Sequence, residues 1–233
     1  MPQGRRVLIM AEMHARDLLR RRAALLLLVA LPLAFYLSSG RTGTAVSAGG
    51  VGMAFAIAGA TFFSTLSSAE VDERLVLGGY RPIDLLLGRV MFLGPLGLLI
   101  AAGFTWLMNA FSHPERPWVV LLGVAAVALQ SIPLGLAVGV GVAAELEGTL
   151  VIIGVVGIQM AADPESIVAK ALPFHQPQAL IIAGVDGQGA VLLPLLWTAL
   201  YGIALLILAR ILLGSRLSVA AHRAQAEQAT PPQ

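Results

Sequence analysis

The densest group of charged side chains in this 233-residue chain lies in a short stretch between two long apolar segments. The group consists of Glu70, Asp72, Glu73 and Arg74. Acidic residues in the first turn of a short helix interact favourably with the helix dipole while their charges stay in water. Such a helix is suited to ionic contacts with a soluble partner. A solvated connector between the two apolar segments is the alternative interpretation.

The residue types that carry out hydrolysis are dispersed along the chain. His14, His113, His175 and His222 all lie outside the apolar segments, and neither Gly-x-Ser-x-Gly nor His-Glu-x-x-His occurs. The phosphate-binding sequence Gly-x-x-x-x-Gly-Lys-Ser/Thr is absent, and there is no Cys. The acidic residues are too scattered to hold a divalent metal ion. We therefore predict a protein that is not an enzyme by itself, with no catalytic residues, no metal site and no cofactor of its own.

Composition places the chain among integral membrane proteins. Hydrophobic residues make up 58% and charged residues 12%, and the mean hydropathy is +0.85. A soluble domain of this size cannot bury so much apolar surface, because small globules keep a large surface relative to their volume. Disordered chains are polar and strongly charged, so disorder is excluded as well. The Arg residues cluster beside apolar runs without interleaved aromatic residues, which favours lipid headgroups over nucleic acid as their partner.

The apolar segments predict an all-α protein with six transmembrane helices. A spanning helix needs about 20 mostly apolar residues, and the candidate spans are residues 23–38, 45–66, 90–111, 118–143, 148–161 and 192–213. The fifth span is short, and Asp163, Pro164 and Glu165 follow it. We expect its outer end to break and short outer helices to occupy residues 163–186.

The two ends of the chain are polar. Residues 1–22 place Leu8, Ala11 and Ala15 near one face of a helix, which predicts an amphipathic helix in the inner membrane interface. A positively charged anchor without a further role is the alternative. Residues 214–233 are expected to form a cytoplasmic tail that begins as a helix and ends in disorder.

Basic residues set the expected orientation. With the N-terminus inside, 12 of the 15 Arg and Lys residues fall in inner segments. Positively charged short loops stay in the cytoplasm, so both termini are expected there.

Small residues recur at intervals of four in two of the predicted spans. Gly52, Ala56 and Ala60 form such a row in the second span, and Gly135 and Gly139 form one in the fourth. Small residues let helix backbones approach closely in lipid. The rows predict tight helix contacts, either within the chain or with a second copy.

The boundaries of the charged helix follow from residues with known positional preferences. Ser67 or Ser68 is suited to cap its N-terminus, and Gly78 with Gly79 to end it. Pro82 is suited to the first turn of the next helix, which continues into the third span. A short cytoplasmic helix between the second and third spans is therefore predicted.

The order of these elements resembles the ABC-2 family of membrane permeases. The local resemblance covers residues 70–89, and it is strongest over the run from Tyr80 to Arg89, which reads Tyr-Arg-Pro-Ile-Asp-Leu-Leu-Leu-Gly-Arg. Family members often show Arg-Glu-x-Gly-Thr-Leu just before it, where this chain has Asp-Glu-Arg-Leu-Val-Leu at residues 72–77. The segment from Ala171 to Pro177 is similar to the Leu-Pro-rich stretch that precedes the family's last span.

The resemblance implies a permease subunit of an ATP-binding cassette exporter in the bacterial inner (cytoplasmic) membrane. The charged helix would be the coupling helix that docks on a separate ATPase subunit, which would bind ATP and Mg. A second copy of the chain, or a paralogous permease, would complete the pathway. The residues implied in docking are Glu70, Asp72, Glu73 and Arg74, with Glu145 and Glu147 of a second, smaller loop.

The family geometry would place the substrate pathway between the second and fifth spans. Thr61, Phe62, Thr65, Gln159 and Met160 are the polar and polarizable positions there, with ordinary helix packing as the alternative for each.

Gln130 in the fourth span is a further candidate substrate contact, and an interhelical hydrogen bond is the alternative. The uncharged interior suggests a lipid-like or hydrophobic drug-like substrate. An ion-coupled secondary transporter and a membrane scaffold without transport remain as alternative functions.

Overall fold

The computed structural model describes residues 3–20, 22–40, 43–142 and 144–229, and all regular structure in these ranges is helical. The prediction of an all-α protein is therefore confirmed for the described ranges. The helices are α1 (Gln3–Arg20), α2 (Arg22–Ser38), α3 (Gly43–Ser67), α4 (Ala69–Leu77), α5 (Pro82–Ser112), α6 (Pro117–Gly141), α7 (Glu145–Ala161), α8 (Ile167–Ala171), α9 (His175–Val185) and α10 (Leu192–Ala229).

Four of the described helices are long and apolar enough to cross a membrane. They contain the stretches Thr44–Ser67, Pro82–Ser112, Pro117–Gly141 and Leu192–Ser218. Together with the composition, these helices identify a membrane protein. The other two predicted spans correspond to α2 and α7, which have 17 residues each. That length is at the lower limit for a spanning helix.

Successive long helices run in alternating directions, so the bundle has two distinct ends. One end, called the α4 end below, carries α4 and the starts of α5 and α7. The opposite end, called the α9 end, carries α8, α9 and the start of α10. At the α9 end the Tyr36 and Ser112 hydroxyls are joined by a 2.5 Å hydrogen bond, which ties the last residues of α2 to those of α5.

Helix α6 is the central helix of the bundle, and it packs against α3, α5, α9 and α10. Every residue from Gln130 to Val140 is buried. Helix α9 lies against α6 with Leu180 and Ile181 fully buried, so this short helix is part of the packed bundle.

The glycines of the small-residue rows are used for packing within the chain. A Cβ atom at Gly135 would collide with the Ala58 carbonyl oxygen on α3, and one at Gly139 would lie 2.8 Å from Cβ of Thr65. Gly52 faces α2 in the same way, since its Cβ would lie 2.8 Å from the Leu31 carbonyl oxygen. The small-residue rows left open whether these contacts form within the chain or with a second copy. For these three glycines they form within the chain.

The end of α4 and the start of α5 lie at the predicted residues, but the predicted N-cap of α4 does not form. Gly79 has a φ of +89°, a value that glycine adopts without strain, and Pro82 is the first residue of α5. Ser68 stands at the N-cap position, but its side chain makes no cap. Its hydroxyl donates instead to the Ser64 carbonyl oxygen at 2.8 Å and accepts a hydrogen bond from Arg89. The capping prediction was therefore wrong, because the hydroxyl is engaged elsewhere.

Two helices extend beyond the predicted spans. Helix α5 includes residues 82–89, which confirms the prediction that the helix beginning at Pro82 continues into the third span. Helix α10 continues from the last span through residue 229 of the predicted tail, and residues 230–233 lie outside the described part.

Close packing of α3 on α6 leads to a prediction about Gly135. A methyl group in Gly135→Ala overlaps a backbone oxygen that cannot rotate away, so we expect a loss of about 1–3 kcal/mol in stability. Thermal melting of the purified protein in detergent measures the loss. Gly103→Ala on α5 is the control, because a Cβ there meets no atom within 4 Å and alanine favours the helix. Equal melting temperatures for the two variants would contradict the close contact.

Candidate functional site

A buried ion pair fixes α4 to the rest of the bundle. Nη2 of Arg89 on α5 donates to Oδ2 of Asp72 on α4 at 2.6 Å, and it also donates to the hydroxyl of Ser68. Arg89 is 1% exposed and Asp72 is 3% exposed. Each charge has lost its water shell and depends on the other for compensation. The ion pair therefore sets the position of α4 relative to α5.

Two further helices contribute charged or titratable groups to this cluster. Arg216 on α10 lines a small void together with Asp72, and His14 on α1 is buried near Arg89. Burial raises the pKa of the Asp72 carboxyl, and Arg89 opposes that rise. Burial, reinforced by the positive charge of Arg89, lowers the pKa of His14 to about 4. His14 is thus neutral at pH 7, and it adds no second positive charge beside the guanidinium.

Helix α1 holds the loop that follows α4. Nη1 of Arg6 donates to the Gly79 carbonyl oxygen at 2.9 Å and lies 3.9 Å from Oδ2 of the buried Asp84. Its guanidinium also lies over the Tyr80 ring, 5.5 Å from the ring centroid. Close to this loop, Gly88 on α5 permits close approach, because a Cβ there would collide with Cβ of Met10. Helices α1, α4 and α5 are therefore joined at the α4 end by charge, hydrogen bonding and close packing.

The outer face of α4 presents charged and apolar side chains to the surroundings. Glu70 and Arg74 are exposed, Glu73 is half-buried, and Leu77 is 66% exposed. These positions follow the helical spacing of three to four residues, so they share one face. Asp72 lies on the opposite face, where it binds Arg89. Asp72 was predicted to contact a docking partner, but it is buried against Arg89 and is not available for docking.

The second predicted docking loop lies at the same end of the bundle. Glu145 and Glu147 are exposed in the first turn of α7, and Leu146 between them is 71% exposed. Gly148, the next residue, packs against the Phe62 ring near the end of α3. The start of α7 thus lies near the end of α3, the helix that leads directly into α4.

An apolar cleft of about 740 Å³ opens between α2, α3 and α7, with the last turn of α1 at one edge. We call it the aromatic cleft, because four phenylalanines line it: Phe35, Phe55, Phe62 and Phe63. The Phe35 and Phe55 ring centroids are 6.0 Å apart, and those of Phe62 and Phe63 are 5.0 Å apart. Ala56 and Ala60 of the small-residue row also line this cleft. Small side chains at these two positions keep the space open.

A second cleft of about 630 Å³ lies toward the α9 end, between α3, α7, α9 and α10. We call it the polar cleft, because its lining includes Gln159, Glu165, His175, Gln178 and Gln188. The Gln178 amide donates to a carbonyl oxygen of α3 at 3.4 Å. Burial lowers the pKa of His175, and the nearby Lys170 charge lowers it further. His175 is therefore neutral at pH 7, and the cleft combines amides with one carboxylate.

The predicted pathway residues divide between the two clefts and the helix core. Phe62 lines the aromatic cleft, and Gln159 and Met160 line the polar cleft. Thr61 and Thr65 are fully or almost fully buried and line neither cleft.

The threonine hydroxyls donate to carbonyl oxygens one turn back on α3, at 2.7 Å for Thr61 and 2.8 Å for Thr65. Their side chains pack against Gly135 and Gly139 of α6. Ordinary helix packing, the alternative interpretation for these two threonines, is what the structure shows, because α6 covers that face of α3. Thr65 also lines the small void beside Asp72.

Gln130 is 2% exposed and lies between α6 and α10, with Oε1 3.0 Å from the position of a Cβ at Gly202. It lines neither cleft, so a substrate contact is not supported. Its Nε2 atom has no hydrogen-bond partner among the described residues, so the interhelical bond from this atom is not seen either.

Sequence reasoning missed Arg89 and most of the aromatic cleft. The prediction uses Arg89 only as one of the basic residues of the inner segments, although an arginine within the first turns of an apolar helix, 17 residues after an aspartate, is a signal for a buried pair. The phenylalanines on α2 and α3 were hidden in uniformly apolar segments, where the hydrophobic pattern does not indicate which face is covered.

The described residues contain no group of three or more His, Asp or Glu that could hold a metal ion. No protein-family model matches the chain, and no curated protein matches it significantly.

The ion pair of Asp72 and Arg89 leads to a stability prediction. Asp72→Leu or Arg89→Met alone leaves one buried charge without a partner, which we expect to cost about 3–5 kcal/mol. The double variant restores a neutral interior, so its melting temperature should lie closer to that of the wild type. Thermal melting in detergent compares the three variants.

Lys170→Met is the matched control for this experiment, because Lys170 and Glu165 form a 2.9 Å ion pair that is largely exposed. An exposed pair contributes little to stability. If Arg89→Met melts at the same temperature as Lys170→Met, the buried pair does not fix α4.

Proposed function

We propose that the chain is the permease subunit of an ATP-binding cassette exporter of the ABC-2 type, driven by a separate ATPase subunit. The observation that carries the proposal is the attachment of α4. A short helix with an exposed face of Glu70, Glu73, Arg74 and Leu77 is tied to α5 by a buried ion pair and to α1 through the Arg6 contacts. Force applied to such a helix is passed to the transmembrane helices without being lost in a flexible loop.

The proposal includes six membrane crossings with both termini in the cytoplasm. In addition to the four long helices, α2 and α7 would cross, each spanning about 25 Å at 1.5 Å per residue. Their place in the alternating bundle and the distribution of Arg support this topology. The α4 end would then face the cytoplasm of a bacterial cell, where an ATPase subunit is available for docking.

ATP and Mg would be bound by the partner, and two copies of the chain, or one copy with a paralogue, would form the pathway. Closure of the ATPase subunits on ATP would press on α4 and on the start of α7, where Glu145 and Glu147 are exposed. Because α4 is bound to α5 and α1, the push would tilt these helices together. The pathway would thereby change from opening at the α4 end to opening at the α9 end.

The two clefts would form successive parts of the substrate route. Both are lined by α3 and α7, with the aromatic cleft toward the α4 end and the polar cleft toward the α9 end. A ligand would enter the aromatic cleft from the inner side and leave through the polar cleft. The apolar lining of the first cleft favours a lipid-like or hydrophobic drug-like substrate.

The first test is purification of the tagged chain in mild detergent from its native host. We expect a soluble subunit to co-purify in stoichiometric amount, and the complex to hydrolyse ATP. Glu70→Arg combined with Glu73→Arg reverses two charges on the outer face of α4, so co-purified ATPase activity should fall by about tenfold or more, since each 1.4 kcal/mol of lost contact is tenfold.

Asp186→Arg at the α9 end is the matched control and should retain the activity, because this residue is exposed on the opposite side of the bundle and lines neither cleft. A wild-type chain that purifies without an ATPase subunit would contradict the permease function. Equal ATPase activity in the α4 variant and the control would contradict docking at α4.

A further inference from the structure

The charged residues that line the two clefts are all acidic. Asp17 lies at the edge of the aromatic cleft and Glu165 at the edge of the polar cleft, and neither lining contains Arg or Lys among the described residues. This is opposite to the chain as a whole, in which 15 basic residues exceed 13 acidic ones. A carboxylate at the edge of each cleft favours a positively charged ligand.

The aromatic cleft offers the groups that attract a positive charge in an apolar environment. The faces of phenylalanine rings carry negative electrostatic potential, so a cation within about 6 Å of a ring centroid is stabilised. Four such rings line a single cleft here. The attraction is stronger in a site that excludes water.

Two hydroxyl groups at the same edge as Asp17 add to this attraction. Ser64 and Thr149 line the cleft, and the Thr149 hydroxyl already donates its proton to the Glu145 carbonyl oxygen at 2.7 Å. A hydroxyl whose proton is used in this way presents its oxygen lone pairs to a ligand. The oxygen atom therefore favours a positive group.

We infer that the aromatic cleft binds a lipophilic cation, a molecule with a large apolar body and a shielded or delocalised positive charge. As the identity of a transport substrate this inference rests on the proposed permease function, whereas binding to the cleft does not. The body fills the space of about 740 Å³ between α2, α3 and α7, and the charge lies against the phenylalanine rings.

The polar cleft is suited to the same ligand at the other end of the route. The amide oxygen Oε1 of Gln159 is buried without a hydrogen-bond partner among the described residues. Glu165 is held by Lys170 in an exposed ion pair, which contributes little to stability and is easily exchanged for another cation. A lipophilic cation that leaves the aromatic cleft thus meets an amide oxygen and a carboxylate.

Two ions of equal shape and opposite charge test the inference: tetraphenylphosphonium and tetraphenylborate. Binding of each to the wild-type chain is measured by equilibrium dialysis in phosphatidylcholine nanodiscs, with binding to empty nanodiscs subtracted. We expect one saturable site for the cation, with affinity at least about tenfold higher than for the anion, since a tenfold ratio corresponds to 1.4 kcal/mol.

Conservative variants locate the site. Phe55→Leu and Phe63→Leu keep apolar bulk but remove a ring face, so each should weaken cation binding about fivefold, within the range of cation–π contributions. Phe111→Leu, on the exposed surface of α5 outside both clefts, should bind like the wild type. Size-exclusion profiles and melting temperatures confirm that the variants are folded.

Saturable binding of both ions with equal affinity would mean a cleft that accepts any apolar group, such as a lipid chain or a second copy, and would overturn the inference. Cation binding that is unchanged in both leucine variants, or no saturable binding at all, would also overturn it. These outcomes are separate from a failure of the permease function, because the binding measurement needs no ATPase subunit.

Discussion

The ion pair between Arg89 and Asp72 is the interaction on which the α4 end depends. Two buried charges joined at 2.6 Å tolerate little displacement, since separating them leaves each without compensation. The pair therefore holds α4 at a fixed position on α5, with Arg216 of α10 and the neutral His14 of α1 beside it. A displacement of α4 that keeps this pair intact would therefore displace α5 as well.

The same bundle leaves space where its packing is interrupted. Glycines bring α3 close to α6 and α2, while Ala56 and Ala60, in the same row of α3 as Gly52, leave the aromatic cleft open toward α7. Both clefts share α3 and α7, and α3 leads through Ser68 directly into α4. A displacement of α4 is thus connected by a short and rigid route to the walls of both clefts.

The sequence was sufficient for the helical class, the long apolar helices and the turn around Gly79 and Pro82, because these follow from local residue preferences. It was insufficient for the side-chain environment of Asp72, Thr61 and Thr65. Docking through Asp72 needs an accessible carboxylate, and a pathway role for Thr61 and Thr65 needs accessible side chains, but neighbouring helices cover all three. Uniformly apolar helices carry no periodic signal for the buried face, so orientation within the bundle depends on tertiary packing.

The proposed topology places the exposed face of α4 in the cytoplasm and the opening of the polar cleft outside. The chain has no Cys, so single cysteines report on accessibility without background. Spheroplasts with Leu77→Cys or Gln188→Cys, both at exposed positions, are treated with a membrane-impermeant maleimide. We expect the label on Gln188→Cys alone in intact spheroplasts and on both variants in lysed ones. Labelling of Leu77→Cys in intact spheroplasts would rule out this topology.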